Sequence, residues 1–144
     1  MIAYVDSSAL LRLVLREPGA LEPLLSAEEL VSSELLAVEC LRTLDRLRLQ
    51  GTLSLEEAVV GRAAVADWLE AVDLVLLQRS VLSRASEPLP TPLGTLDALH
   101  LATALLWREQ AQTQAAFENA KENLNLALEA LDQIRDRRGL VAGR

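Results

Sequence analysis

The stretch that decides the fold is Thr95-Leu96-Asp97-Ala98-Leu99-His100-Leu101-Ala102-Thr103-Ala104. It predicts a helix that begins near Thr95 and carries an acid in its first turn. Two other acids hold comparable places: Asp6 follows the run Ile2-Ala3-Tyr4-Val5, and Glu39 lies one turn into another apolar helix. Close carboxylates repel by about 4 kcal/mol per pair at roughly 4 Å and an effective dielectric near 20. Their gathering would therefore indicate a divalent cation, and oxygen ligands favour magnesium or manganese.

Composition bounds the protein class. The chain has 144 residues, of which 51% are hydrophobic, and this length suits one domain with its own core. No apolar run reaches the 18 or so residues of a membrane span, so we expect no membrane partner. Cys40 is the only cysteine, which predicts a reducing cytoplasm. The net charge of −7 argues against a general nucleic-acid binder but not against a nuclease, because clustered acids can form a metal site.

Apolar patterns and turn signals predict alternating strands and helices. We expect Ser7 or Ser8 to cap the helix over 7–16 and Ser33 to cap the helix over 33–49. Ser54 is expected to cap the helix over 54–71 and to form a capping box with Glu57. The predicted strands cover 2–6, 30–32 and 72–77, and the predicted helices cover 7–16, 20–28, 33–49, 54–71 and a segment from 95 onward.

This alternation predicts an α/β fold with a mostly parallel sheet. Sites in such sheets lie beyond the carboxyl ends of the strands. Asp6 follows the end of the first predicted strand, and Glu39 follows the end of the second by one helical turn. Asp97 lies where the helix dipole favours a carboxylate. We therefore expect these three acids to lie near one another.

Three segments resemble a known family. They are Ile2-Ala3-Tyr4-Val5-Asp6-Ser7-Ser8-Ala9-Leu10, Leu36-Ala37-Val38-Glu39, and Leu96-Asp97-Ala98-Leu99-His100-Leu101-Ala102-Thr103-Ala104. In this order and spacing they are similar to the PIN-domain ribonucleases, and specifically to VapC-like toxins of toxin–antitoxin pairs. The resemblance implies a three-layer fold with helices flanking the sheet, a magnesium-dependent endoribonuclease and a homodimer. It also implies an RNA substrate and a VapB-like antitoxin as partners.

The resemblance also implies roles for individual residues. Asp6, Glu39 and Asp97 are the expected catalytic and metal-binding acids, with Mg²⁺ or Mn²⁺ as the cofactor. Ser7 is a candidate accessory residue. The expected reaction is hydrolysis of an RNA phosphodiester bond by metal-activated water.

Basic residues and the lone histidine have less specific signals. Arg12, Arg42 and Arg46 are candidates for RNA contacts, and the alternative is that they are solvated surface side chains. We interpret His100 as a packed residue rather than a ligand or base.

The chain departs from the family after about residue 110. Such proteins usually continue with a strand that supplies a fourth acid, and no such sequence follows here. Residues 1–110 contain no Lys, Asn or Phe, whereas residues 111–125 contain all three. We therefore predict a nuclease core over 1–110 and an atypical helix with a short tail over 111–144, in which the helix covers 111–138. The ending 139–143 is compatible with a short strand.

An apolar seam runs along this C-terminal helix. Its members follow a 3-4-3-4-3 spacing, which is typical of a and d heptad positions: Phe117, Ala120, Leu124, Ala127, Leu131 and Ile134. The seam is expected either to pack on its own domain or to contact a helix of another chain. The alternative function is therefore a catalytically impaired PIN-like domain that acts as an interaction module through this helix.

Overall fold

The computed structural model describes residues 1–17 and 22–142, and the side chains of these residues other than 22, 23, 127 and 130–142. Each strand is followed by two helices, which confirms the predicted α/β alternation. In chain order the elements are β1 (Ile2–Tyr4), α1 (Ser7–Val14), α2 (Glu22–Leu25), β2 (Glu29–Ser33), α3 (Leu35–Leu49), α4 (Leu55–Glu70), β3 (Val72–Val75), α5 (Arg79–Ala85) and α6 (Thr95–Ala142).

The strands form a parallel sheet in the order β1-β2-β3. Ala3 pairs with Leu30, and Leu30 pairs in turn with Val72. Because all strands run in the same direction, their carboxyl ends lie at one edge of the sheet. The predicted architecture of a parallel sheet flanked by helices is confirmed.

The core is built from the sheet and the helices that follow β1 and β2. Its buried members come from five elements and from the residue after β1: Val5, Leu10, Leu11, Leu30, Leu36, Cys40, Leu44, Val65 and Val72. Gly61 of α4 allows close helix packing here, since a Cβ at this position would lie 3.2 Å from Cδ2 of Leu44. Burial of each large aliphatic side chain contributes about 1.5–3 kcal/mol in transfer terms.

The start of α1 differs from the prediction. Asp6, rather than Ser7 or Ser8, is the N-cap, and its side chain accepts a hydrogen bond from the backbone N–H of Ala9. The carboxylate takes this place because Asp6 has extended backbone angles and is spaced three residues before the free amide. The Ser8 hydroxyl instead donates to Asp6. The predicted serine cap is therefore wrong, and the predicted strand over 2–6 ends earlier, at Tyr4.

The start of α3 also differs from the prediction. Glu34, not Ser33, is its N-cap residue, and it makes no side-chain cap. Its carboxylate accepts a hydrogen bond from the backbone N–H of Leu77 at 3.0 Å, and its own N–H donates to the carbonyl of Val75 at 3.0 Å. This long-range contact draws Glu34 toward the end of β3, which stops at Val75 rather than at the predicted residue 77.

The start of α4 follows the prediction. Ser54 is the N-cap, and its hydroxyl accepts a hydrogen bond from the backbone N–H of Glu57 at 3.1 Å. The Glu57 carboxylate accepts one from the backbone N–H of Ser54 at 2.8 Å. This reciprocal pair is a capping box, which satisfies two amides that have no partner within the helix.

A single helix, α6, replaces the two helices predicted over 95–138. No Gly or Pro lies between Thr95 and Arg138, so nothing in the sequence ends the helix there. It extends to Ala142, and the suggested strand over 139–143 is wrong for its described residues 139–142. One glycine, Gly139, costs about 1 kcal/mol in a helix but does not by itself end it.

The chain divides into two compact units, Met1–Trp107 and Arg108–Arg144. In the second unit, the described large members of the seam are exposed: Phe117 by 62%, Leu124 by 60% and the adjacent Leu128 by 52%. The choice between packing on the chain's own domain and contact with another chain stays a prediction. The side chains of Ala127, Leu131 and Ile134 lie outside the described residues. Across the described part of the chain, no helix is both long enough and apolar enough to cross a membrane.

Candidate active site

Asp6 lies where β1 passes into α1. The chain keeps its pairing with β2 for one residue beyond β1, since the Val5 N–H donates to the carbonyl of Val31 at 2.9 Å. Oδ1 of Asp6 then accepts from the Ala9 N–H at 2.8 Å, and the Ser8 hydroxyl donates to the carboxylate at 3.0 Å. These bonds fix the orientation of a half-buried carboxylate at the carboxyl edge of the sheet.

Glu39 is held by a buried histidine. It lies one turn into α3, and its Oε2 is 2.7 Å from Nε2 of His100 in α6. On the other side of the imidazole ring, Nδ1 is 2.9 Å from the hydroxyl of Tyr4 in β1. The Tyr4 and His100 rings meet edge to face at 77°, with centroids 6.0 Å apart. One hydrogen-bonded chain thus joins β1, α6 and α3.

The carboxylates of Asp6 and Glu39 both act on the same buried thiol. Burial, and to a lesser extent the negative charges of Glu39 and Asp6, raises the pKa of Cys40 to about 12. The thiol is therefore protonated near neutral pH, and its Sγ lies 3.8 Å from the carbonyl of Ser7 as a weak donor. Cys40 is thus a packed hydrophobe rather than a nucleophile.

Asp97 lies in the first turn of α6, three residues before His100 and therefore on a neighbouring part of the same helix face. Its side chain is exposed. Gly94 leaves room for it, because a Cβ there would lie 3.3 Å from Oδ2 of Asp97. The positive end of the helix dipole favours a carboxylate at this position.

The three acids offer only carboxylate oxygens, a donor set that suits a hard divalent cation. Their arrangement is open, however. Among residues 1–17 and 22–142, no group of three His, Cys, Asp or Glu side chains is placed so that it could hold a metal ion. Asp6 and Glu39 share the surroundings of Cys40, whereas Asp97 is linked to them only through the position of His100 on its helix. The metal-binding and catalytic roles of all three therefore stay predictions.

Comparison with known proteins places the chain in a family. The PIN domain family matches residues 3–132. The chain belongs to the PIN domain family. It is also 38% identical over 104 residues to Ribonuclease VapC46 of Mycobacterium tuberculosis, an alignment that covers 70% of this chain and 72% of that protein. The VapC-like resemblance of the sequence is confirmed. The family match continues beyond residue 110 into α6, and the proposed division of the chain at that residue stays a prediction.

The arginines predicted to contact RNA make local contacts in this PIN domain. Arg12 pairs with Glu17 at 3.3 Å, and Arg42 pairs with Asp45 at 3.4 Å. The guanidinium of Arg46 donates to the Thr43 hydroxyl at 3.3 Å. Exposed pairs of this kind are worth at most about 1 kcal/mol, so they leave the guanidinium groups available to another partner. Their contact with RNA stays a prediction, as does an accessory role for Ser7.

The sequence interpretation assigns no role in the site to His100 or Tyr4. His100 is packed, as expected, with 8% of its surface exposed, but it also contacts Glu39 directly. For Tyr4, the sequence predicts only a position in a strand. A signal for both was present in the PIN domain sequence: Tyr4 precedes Asp6 by two residues, the period of a strand face, and His100 follows Asp97 by three, one helical turn.

Proposed function

We propose that this PIN domain is a metal-dependent endoribonuclease of the VapC toxin type, which hydrolyses RNA phosphodiester bonds. The observation that carries the proposal is the placement of Asp6 and Glu39. They come from different elements and are the chain neighbours of Ser7 and Cys40, whose carbonyl oxygen and Sγ lie 3.8 Å apart. Each carboxylate is oriented by hydrogen bonds from the protein. The family match and the likeness to Ribonuclease VapC46 support the same reaction class.

Asp6, Glu39 and Asp97 are the residues that would hold the ion, with Mg²⁺ as the expected cofactor and Mn²⁺ as an alternative. A bound ion of this kind lowers the pKa of water and stabilises negative charge on a phosphate. Ser8 and the Ala9 amide orient Asp6, and His100 orients Glu39. Either Asp97 or Glu39 would orient the attacking water, since Asp97 is exposed and His100 engages only Oε2 of Glu39. The proposal uses three acids, because this sequence lacks the segment that supplies a fourth acid in the family and α6 runs through the described residues after 110.

The proposed biological setting follows from the same likeness. We propose an RNA substrate, a VapB-like antitoxin as partner and a cytoplasmic location. Because the chain carries a net charge of −7, contact with RNA requires local basic groups, for which Arg12, Arg42 and Arg46 are the proposed candidates.

An RNA cleavage assay tests the nuclease. Purified full-length protein is incubated with several RNAs in Mg²⁺, in Mn²⁺ and in EDTA, beside Asp6→Asn and Asp97→Asn. We expect each substitution to reduce cleavage by on the order of 10²-fold or more. Asp73→Asn is the matched control, because Asp73 is an exposed acid in β3 and the charge change is identical. Undiminished cleavage by Asp6→Asn and Asp97→Asn, or equal cleavage in EDTA, would contradict the proposal.

A second candidate function is favoured by the exposed apolar seam on α6. Phe117 and Leu124 of the seam and the adjacent Leu128 are more than half exposed. This supports the alternative of an interaction module, and it supports assembly into a homodimer through paired helices. We expect Phe117→Asp with Leu124→Asp to lower the mass measured by light scattering and to leave residues 1–107 folded.

The control for this second candidate is Asn119→Asp with Asn125→Asp. It adds the same two negative charges at exposed positions of α6 outside the seam. A monomeric wild-type protein, or an unchanged mass in the seam variant, would rule out a dimer held by the seam.

A further inference from the structure

His100 is the only histidine in the chain, and both of its ring nitrogens have protein partners. Its side chain is 9% exposed, and that of Glu39 is 14% exposed. The partners belong to β1 and α3, so the imidazole connects two elements that are distant in sequence from α6. A buried histidine with two such partners is fixed in both position and ring orientation.

The proton positions follow from the donors and acceptors around the ring. An ionised Glu39 carboxylate only accepts, so the hydrogen between it and His100 lies on Nε2. Near Tyr4, the hydroxyl of Ser32 donates to the Val5 carbonyl at 2.6 Å, and that of Thr103 donates to the Leu99 carbonyl at 2.8 Å. With the ring proton on Nε2, Nδ1 only accepts, so the Tyr4 hydroxyl donates to Nδ1. We assign the neutral Nε2–H tautomer from this network.

The bond from His100 leaves half of the Glu39 carboxylate available. Oε2 receives the Nε2–H, and Oε1 makes no hydrogen bond or ion pair within the described residues. Without the imidazole donor, the largely buried Oε2 of Glu39 would lose its hydrogen-bond partner. The carboxylate would then rotate toward a different donor. The imidazole therefore determines where Oε1 points.

We infer that Tyr4 and His100 form a positioning pair that fixes the Glu39 carboxylate for the reaction, with His100 acting on Glu39 and Tyr4 acting on His100. This inference rests on the proposed nuclease function and deepens it. Neither residue touches substrate in this role. Partners that orient a metal-binding group typically change metal affinity or activity by about 10–100-fold when they are removed.

Three substitutions test the pair. His100→Leu removes the donor to Glu39, Tyr4→Phe removes only the support of the ring, and His100→Gln places an amide N–H near the position of Nε2. We expect Mn²⁺ affinity, measured by titration calorimetry, to fall by about 10–100-fold in His100→Leu. The loss should be smaller in Tyr4→Phe and smaller again in His100→Gln. RNA cleavage should fall in the same order.

The control is Val65→Ala. Val65 is fully buried in α4 and its side chain has no polar atom, so this change disturbs packing without removing a hydrogen bond of Tyr4, His100 or Glu39. Circular dichroism and thermal melting of every variant check the fold. Should His100→Leu fail to fold, the comparison of His100→Gln and Tyr4→Phe with Val65→Ala still decides the question.

A direct readout comes from nitrogen NMR of the imidazole, because a single histidine gives one set of signals. The wild-type protein should show a protonated Nε2 and an unprotonated Nδ1, and Tyr4→Phe should shift the Nδ1 signal. A dominant Nδ1–H tautomer would overturn the inference. So would normal Mn²⁺ affinity in folded His100→Leu, or equal losses in His100→Gln and His100→Leu.

The outcomes separate the two proposals. If Asp6→Asn and Asp97→Asn abolish Mn²⁺ binding and cleavage while His100→Leu and Tyr4→Phe leave both unchanged, the nuclease stands and the positioning pair is wrong. If wild-type protein neither binds Mn²⁺ nor cleaves RNA, the proposed function fails, and the positioning role fails with it even where NMR shows the Nε2–H tautomer.

Discussion

Two helices of this protein carry apolar residues at helical spacing, and their surroundings differ. In α3, Leu36, Cys40 and Leu44 are completely buried. In α6, Phe117 and Leu124 are 62% and 60% exposed. Both patterns indicate a helix face that is stable when covered. The comparison shows that periodicity identifies such a face but not the element, or the second chain, that covers it.

The largest expected contrast is between truncations on the two faces. Leu44→Ala should lower the free energy of unfolding by about 2–5 kcal/mol, because it leaves a cavity between α3 and α4. Leu124→Ala should change it by no more than about 0.5 kcal/mol in a monomer, because the side chain is already in water. Urea unfolding followed by circular dichroism measures both. If Leu124→Ala lowered the free energy of unfolding by several kcal/mol, the seam would be covered in solution, and the two helix faces would not differ in burial.

A second contrast compares substitutions that enlarge a side chain on each of the two helix faces. Gly61→Leu places a side chain where a Cβ alone would meet the methyl groups of Leu44 at 3.2 and 3.3 Å. Overpacking of this kind costs about 1–3 kcal/mol. Ala120→Leu adds a comparable side chain at an exposed position of α6 and should be close to neutral. The same unfolding experiment measures both, and equal effects would show that the two faces are packed alike.

The fold was largely readable from the sequence because its signals are local. Strand alternation, the capping box of Ser54 and Glu57, and the strand-end position of Asp6 depend on neighbouring residues. The start of α1 was misread for a local reason too: Asp6, Ser7 and Ser8 all have oxygens that can accept from the same free amides, and the geometry of the strand end selects Asp6.

The contacts of the candidate site were not readable in the same way. His100 meets Glu39 across 61 residues of sequence and Tyr4 across 96. These contacts are set by the order of the strands and by helix packing, which no local sequence pattern encodes. The likeness to a family pointed to Glu39 without indicating what holds it. The sequence likewise predicts that Asp97 lies near the other two acids, but no three His, Cys, Asp or Glu side chains among the described residues are placed to hold a metal ion.

Asp6 allows the structural and chemical roles of one site residue to be separated. Asp6→Ala removes the cap of α1 and should cost about 1 kcal/mol of unfolding free energy. Asp6→Asn keeps an oxygen for the Ala9 amide and should cost less than about 0.5 kcal/mol. Thermal melting measures these effects, and both variants should lose nuclease activity alike. If Asp6→Asn were as unstable as Asp6→Ala, the cap would depend on the negative charge rather than on the oxygen acceptor.

The smallest expected effect is that of low pH on the capping box at the start of α4. Hydrogen bonds from the backbone and then the side chain of Ser54 hold the pKa of Glu57 below its ordinary value of 4.5. Because the folded protein lowers this pKa, the contribution of Glu57 to stability is present above the unfolded value and is lost as pH falls through the folded one. Glu57→Gln should therefore reduce the fall in melting temperature between about pH 6 and about pH 3. Glu56→Gln removes the same charge from the same helical turn outside the capping box, and it should keep the wild-type fall. Equal acid profiles for the two variants would show that net charge, rather than the cap of a helix in residues 1–107, governs this part of the acid response.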